Sequence, residues 1–237
     1  MGSALHEHAD GVFHGCEKFF RPGYAANLVS AWIPALDDVK EKLEAGARVA
    51  DVGCGKGAST LLLAKAFPKS QFFGFDYLDK SIEGAREQAS REGIAGRVTF
   101  EVAKAKGFPG KDYDFVAMFD CLHDMGDPVG AAKHVRQSLA KDGTWMIVEP
   151  FANDQLKDNL NPVGRVYYSF STLLYALLTV PGSWTVPGRA GRRIADSRSG
   201  YAGWLHPLPP SYGNAVQHRL RSPAIGCSPS CKPEGMP

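Results

Sequence analysis

From Ala47 to Thr60 the chain reads ARVADVGCGKGAST, an apolar run that ends in an acid, breaks into three alternating glycines and then starts a helix. No other stretch restricts the fold so strongly. Val49, Ala50 and Val52 have the pattern of a short buried strand, and Gly53, Gly55 and Gly57 allow a tight turn where a ligand approaches backbone without meeting a Cβ. Ala58 to Ala66, ASTLLLAKA, continues as a helix, and its first N–H groups, lacking intrahelical partners, are expected to face the turn. Strand, glycine turn and helix in this order make a nucleotide cradle.

Two cofactor classes use such a cradle. Gly53, Gly55 and Ala58 satisfy G-x-G-x-x-G/A, the dinucleotide fingerprint in which a pyrophosphate rests on the helix N-terminus. Asp51 opposes that reading, because a carboxylate at the strand end would face phosphates with like charge. It suits S-adenosylmethionine, which has no phosphate and carries an ammonium. A glycine turn that binds no ligand is the plain structural alternative.

The 237 residues suffice for one sizeable α/β domain, or a domain and a tail. A net charge of +2 gives no argument for nucleic acid or an anionic membrane surface. No apolar run approaches the ~20 residues of a membrane span, and MGSALHEHADG lacks a basic-then-apolar leader, so a cytoplasmic location is expected. Cys16, Cys54, Cys121, Cys227 and Cys231 are odd in number and irregularly spaced, which reads as reduced thiols. His6, His8 and His14 lack the spacing of a ligand set, so a polar lead-in is preferred to a metal site, and no metal is expected.

Before the cradle, Tyr24 to Ala45 carries apolar residues at helical spacing, with Pro34 dividing the helix and Gly46 ending it. After the cradle, Gln71 to Tyr77 is a second strand ending in Asp76, whose carboxylate can accept from both hydroxyls of a ribose. As the alternative, Asp76 is the N-terminal charge of the helix over Leu78 to Glu92. Val98 to Val102 and Tyr113 to Phe119 are the third and fourth strands, and Asp120, Cys121, Leu122, His123 and Asp124 follow at the C-terminal edge. A helix starts at Asp127-Pro128, and Thr144 to Val148 is the fifth strand, ending at Glu149-Pro150. Five alternations of strand and helix predict a doubly wound, mainly parallel α/β sheet, with ligands bound at its C-terminal edge.

Taken together, these residues resemble the class I S-adenosylmethionine-dependent methyltransferases. VADVGCGKG is similar to their first motif, GFDY to their second, and MIVEP after a Lys-Asp-Gly turn to their strand-five region. The stretch from His8 to Gly46, with Phe119 to Leu174, resembles a bacterial subgroup whose longer members carry an N-terminal winged-helix domain. The resemblance implies a Rossmann-like methyltransferase sheet over residues 24–174, behind a polar lead-in at 1–23. It further implies S-adenosylmethionine contacts from Asp51, Gly53, Cys54, Gly55, Asp76, Tyr77 and Asp120. Where many such enzymes place an acid for the adenine amino group, this chain has Ala103-Lys104-Ala105-Lys106, which leaves that contact to backbone groups. The expected partner is a small-molecule acceptor, with a homodimer as the candidate assembly.

Methyl transfer displaces a neutral thioether, so the leaving group needs no proton, and a base is needed only when the acceptor must lose one. His123 is the candidate base, with Asp120 and Asp124 near in sequence; a loop histidine held by hydrogen bonds is the alternative. Phe151 to Leu174 is expected to lie over the active site, which makes Arg165 and Tyr168 the candidate substrate contacts. A packed surface helix has the same pattern.

From Tyr175 the composition changes: acids reduce to Asp196 and Glu234, and Pro, Gly, Ser and Arg dominate. An irregular, disordered tail over 175–237 is expected, with the last two strands of a seven-stranded sheet missing or irregular. Codons for this stretch, read one base out of frame, permit a string with two strand-like runs, so a frame-shifted family C-terminus is one origin. Three function readings follow: methyl transfer to a small molecule, cofactor binding with impaired or no catalysis, and, weaker on charge grounds, an NAD(P)-dependent oxidoreductase.

Overall fold

The computed structural model describes residues 10–150, 153, 155–174, 205–207 and 215–218. Its strands are β1 (Arg48–Val52), β2 (Gln71–Asp76), β3 (Val98–Val102), β4 (Tyr113–Phe119), β5 (Leu139–Val148), β6 (Leu205–Pro207) and β7 (Ala215–His218). They form a single sheet in the order β3-β2-β1-β4-β5-β7-β6, parallel from β3 to β5 and antiparallel through β7 and β6. The chain winds outward from β1 in one direction and then from β4 in the other. The two strands are neighbours, with Val49 opposite Phe115 and Asp51 opposite Ala117, so the order reverses between them. A crevice opens at that reversal, beyond the carboxyl ends of the strands.

The helices are α1 (Asp10–Asn27), α2 (Val39–Ala45), α3 (Ala58–Ala66), α4 (Asp79–Arg91), α5 (Pro128–Ser138) and α6 (Pro162–Leu174). Their burial explains why β4 reads as the continuous apolar run YDFVAMF. Phe115, Ala117 and Phe119 pack on one side with residues of α1, α3 and α4, while Val116 and Met118 pack on the other with Ala131 and Val135 of α5. A strand covered on both faces has no polar side to alternate with. Each large side chain so buried contributes about 1.5–3 kcal/mol.

Two boundaries differ from the expectations. The lead-in is helical from Asp10 onward, so the division at residue 23 falls inside α1, which runs past Pro22. A π-helical turn over Leu28–Trp32 follows, and Pro34 lies in the break before α2. At the other end, the sheet does contain its last pair: β7 aligns Ala215 with Val148 and His218 with Trp145, and β6 aligns Leu205 with His218. Of the two expectations for these strands, missing or irregular, the first does not hold, and both are short, at 3 and 4 residues. Residues 175–204, 208–214 and 219–237, where the disordered-tail and frame-shift expectations mostly fall, lie outside the described residues, as do His6 and His8. Among the described residues, no helix is long and apolar enough to cross a membrane.

Candidate functional site

The glycine turn is built by backbone geometry that other residues would not adopt. Gly53 has φ +80°, and a Cβ there would lie 2.6 Å from Cys121 Sγ; Gly57 has φ +81°, and a Cβ there would lie 2.7 Å from the Phe100 ring. At Gly55, with φ +52°, a Cβ would meet no atom within 4 Å among the described residues, so this is the point of open approach.

Before the helix begins, the amides of the turn itself have partners within the protein. Gly53 N–H and Cys54 N–H donate to Phe75 O at 2.7 and 3.0 Å, Gly55 N–H to Asp76 Oδ2 at 2.9 Å, and Gly57 N–H to Cys54 O at 2.8 Å.

Three carboxylates line the same edge. Asp51, 1% exposed at the end of β1, accepts from Ser59 Oγ and Thr60 Oγ1, both at 2.6 Å and both on Oδ2. Its Oδ1 has no hydrogen-bond partner among the described residues. Burial pushes the Asp51 pKa up to about 6, against the two hydroxyls that favour the ionised form. Asp76 is also buried, and burial raises its pKa although Oδ1 accepts from Leu78 N–H and Oδ2 from Gly55 N–H, each at 2.9 Å. Each carboxylate oxygen has a second lone pair, so the hydroxyl-accepting role expected for Asp76 is compatible with this geometry. Asp120 follows β4 with φ +49° and accepts from Tyr24 Oη at 2.5 Å.

Beyond β4 and β5 the polar groups form a second cluster. His123 Nδ1 is hydrogen-bonded to Glu149 Oε2, and Glu149 Oε1 accepts the Leu122 N–H at 2.8 Å. Glu149 was legible only as a strand end. Its partners are 26 and 27 positions away, and they meet it because β4 and β5 are parallel neighbours. Ser59, Thr60 and Tyr24 were likewise missed as site residues. The hydroxyl pair directly after the glycines was the available signal for the first two.

The sheet edge thus gathers Asp51, Gly53, Cys54, Gly55, Asp76, Asp120 and His123. Tyr77 stands beside them, 44% exposed, and the buried Cys54 thiol is pushed well above its usual range by burial and then by Asp51 and Asp76. On α6, Arg165 is exposed and Tyr168 half-buried. Tyr167, one position before Tyr168, feels the Asp120 charge, and it packs edge-on against Phe19 of α1 at 6.4 Å between ring centroids.

A doubly wound sheet with an antiparallel last strand and an acid-lined glycine turn at its switch point is a Rossmann-like α/β fold. The chain belongs to the methyltransferase family, matching the family model described as "Methyltransferase domain" over residues 43–177. It is similar to the 27-O-demethylrifamycin SV methyltransferase of Amycolatopsis mediterranei, at 34% identity over 87 residues, which are 36% of this chain and 32% of that protein. Among solved structures, the mitomycin 7-O-methyltransferase MmcR shares the fold at a TM-score of 0.65 and 18% identity, over 91% of this chain and 59% of that one. An O-methyltransferase family protein from Burkholderia thailandensis gives a TM-score of 0.64 and 20% identity, over 91% of this chain and 60% of that one. The chain spans less than half the length of the curated relatives it matches.

Proposed function

We propose that this chain transfers a methyl group from S-adenosylmethionine to a small-molecule acceptor, with His123 as the base that takes the acceptor's proton. The observation that carries the reading is Asp51, a buried carboxylate with one oxygen held by two hydroxyls and the other, Oδ1, without a partner among the described residues. A buried acceptor of that kind fits an ammonium and repels a phosphate. Asp76, at the end of β2, suits the ribose of either cofactor, so the choice against the nicotinamide alternative rests on Asp51.

S-adenosylmethionine supplies an electrophilic methyl group on a sulfonium, and the chain's own residues supply binding, orientation and proton acceptance. Asp51 Oδ1 would hold the amino group, Asp76 the ribose, and the open face of Gly55 the close approach, with Cys54, Tyr77 and Asp120 along the same edge. Glu149 holds Nδ1 of His123 as the protonated nitrogen, which leaves Nε2 as the accepting one. Tyr167 and Tyr168 on α6 and the aromatic face of α1 offer an apolar wall to the acceptor, with Arg165 at the exposed side. An acceptor that must ionise, such as a hydroxyl, is the class for which this base is useful.

Calorimetric titration with S-adenosylhomocysteine and with NAD, followed by a screen of small-molecule acceptors with radiolabelled S-adenosylmethionine, tests the reading. Binding of the homocysteine product and label transfer to an acceptor are expected. Binding of NAD in its place would overturn it. The shortness of β6 and β7 favours one second reading, a cofactor-binding chain without turnover, which predicts the same binding and no label transfer.

A further inference from the structure

Tyr24 reaches the site from outside the sheet. It lies on α1, with its ring stacked on Phe20 at 6.3 Å, tilted against Phe119 at 5.3 Å and edge-on to Trp32 at 6.3 Å. That packing needs a ring and makes no use of a hydroxyl; a phenylalanine would fill the same space. The hydroxyl instead donates to Asp120 Oδ2 at 2.5 Å, tying together residues 96 positions apart. That length is typical of a hydroxyl donating to an ionised carboxylate.

Asp120 itself is held from two sides. Its φ of +49° lies in the left-handed region that non-glycine residues adopt at a cost, and its N–H donates to Val148 O at 2.7 Å. β5 pins its backbone and α1 pins its side chain. The phenol also lies within electrostatic reach of the Asp51 carboxylate. Burial and these neighbours push its pKa far upward, so it stays a donor at any working pH.

We propose that Tyr24 is a positioning residue of the methyl-donor site: its phenol holds Asp120 as an oriented, ionised carboxylate at the end of β4, so that α1 is part of that site. With Asp51 and Asp76, Asp120 completes an acidic edge suited to a donor that carries a sulfonium and an ammonium. The inference rests on the methyl-donor reading of the edge. Without the phenol, Asp120 loses a hydrogen bond that favours its ionised form, retains its proton to higher pH and meets the donor in neutral form.

The test is calorimetric titration of the full chain with S-adenosylhomocysteine from pH 5.5 to 8.5, for wild type, Tyr24→Phe, Asp120→Asn and the double variant. Tyr24→Phe is expected to bind ~10-fold more weakly at pH 7, the scale of a hydrogen bond to a charged group. Its affinity should begin to fall at a higher pH than that of the wild type, a change that packing alone would not produce. In the Asp120→Asn background the same substitution should add little, because the carboxylate it orients is gone. Wild-type affinity and pH profile in Tyr24→Phe, or fully additive losses, would overturn the proposal. Should Tyr24→Phe fail to fold, Asp120→Asn decides: a ~10-fold loss supports the role and affinity within about twofold of wild type removes it. A wild-type chain that binds no S-adenosylhomocysteine refutes the donor site itself, which separates that failure from failure of the Tyr24 role.

Discussion

His123 and Glu149 are joined by a hydrogen bond across the ends of β4 and β5, and the same carboxylate holds the Leu122 N–H at 2.8 Å. One glutamate therefore sets both the ring orientation and the short turn that carries the ring. Glu149→Gln is expected to lower kcat by ~100-fold, the low end of general-base contributions, with S-adenosylhomocysteine affinity within about twofold of wild type. Steady-state kinetics alongside calorimetry separates the two, and an equal loss of affinity would move Glu149 into the donor site.

Asp51 sets function against stability. Its folded pKa of about 6 exceeds its ordinary 3.8, so the folded chain binds the proton more tightly than the unfolded one. Stability without cofactor should therefore fall as pH rises from about 4 to 6 and stay level above that, a loss of roughly 3 kcal/mol from this group. Asp51→Asn removes that loss. The variant should unfold at a higher temperature than wild type at pH 7 while losing at least ~10-fold in S-adenosylhomocysteine affinity. Thermal unfolding at pH 4 and pH 7 checks the sign, and a lower midpoint at pH 7 would contradict it.

Gly55 and Gly57 should respond differently to alanine. Gly57→Ala drives a Cβ to 2.7 Å from the Phe100 ring and is expected to destabilise the fold by more than the ~1 kcal/mol cost of the left-handed backbone. Gly55→Ala carries that backbone cost alone, yet it fills the point of closest approach and should abolish measurable cofactor binding. Urea unfolding paired with calorimetry distinguishes them; equal effects on stability would refute the assignment.

Asp76→Ala removes the acceptor for Gly55 N–H and Leu78 N–H together with the ribose contact. A loss of about 1.5–3 kcal/mol in S-adenosylhomocysteine binding is expected. Asp76→Asn, which keeps one oxygen acceptor, should lose less. Unchanged affinity in Asp76→Ala takes the residue out of the site.

Asn159 is buried, and its side chain accepts from Asn153 N–H at 2.7 Å and donates to Asn153 O at 2.9 Å and Gln155 O at 2.8 Å. It clasps the connection that launches α6. Asn159→Ala should cost about 1–3 kcal/mol of stability, the range for stranding buried partners, measurable by denaturant unfolding.

Much of this was legible because of how parallel sheets are covered. β1, β2 and β4 are buried on both faces, so they stand out as apolar runs, and Asp51, Asp76 and Asp120 mark where each run leaves the sheet. β6 and β7 were not legible: at 3 and 4 residues they are too short to show an alternation, and their place is set by pairing with β5. Tyr24 looked like one more apolar position of a helix, and Glu149 like a strand terminus. Both have partners chosen by topology.

The sequence by itself determined the alternation of strand and helix, the glycine turn with Asp51 before it, and the series of acids that ends on one edge, because each is a local pattern of side-chain period and backbone permissiveness. Only the tertiary structure decided which atoms those groups offer. The Gly53, Cys54 and Gly55 amides are taken by Phe75 and Asp76, Asp51 Oδ1 has no partner among the described residues, Glu149 faces His123, and α1 delivers a phenol to Asp120. These are contacts between residues remote in sequence, settled by which strands lie side by side and which helix closes over them.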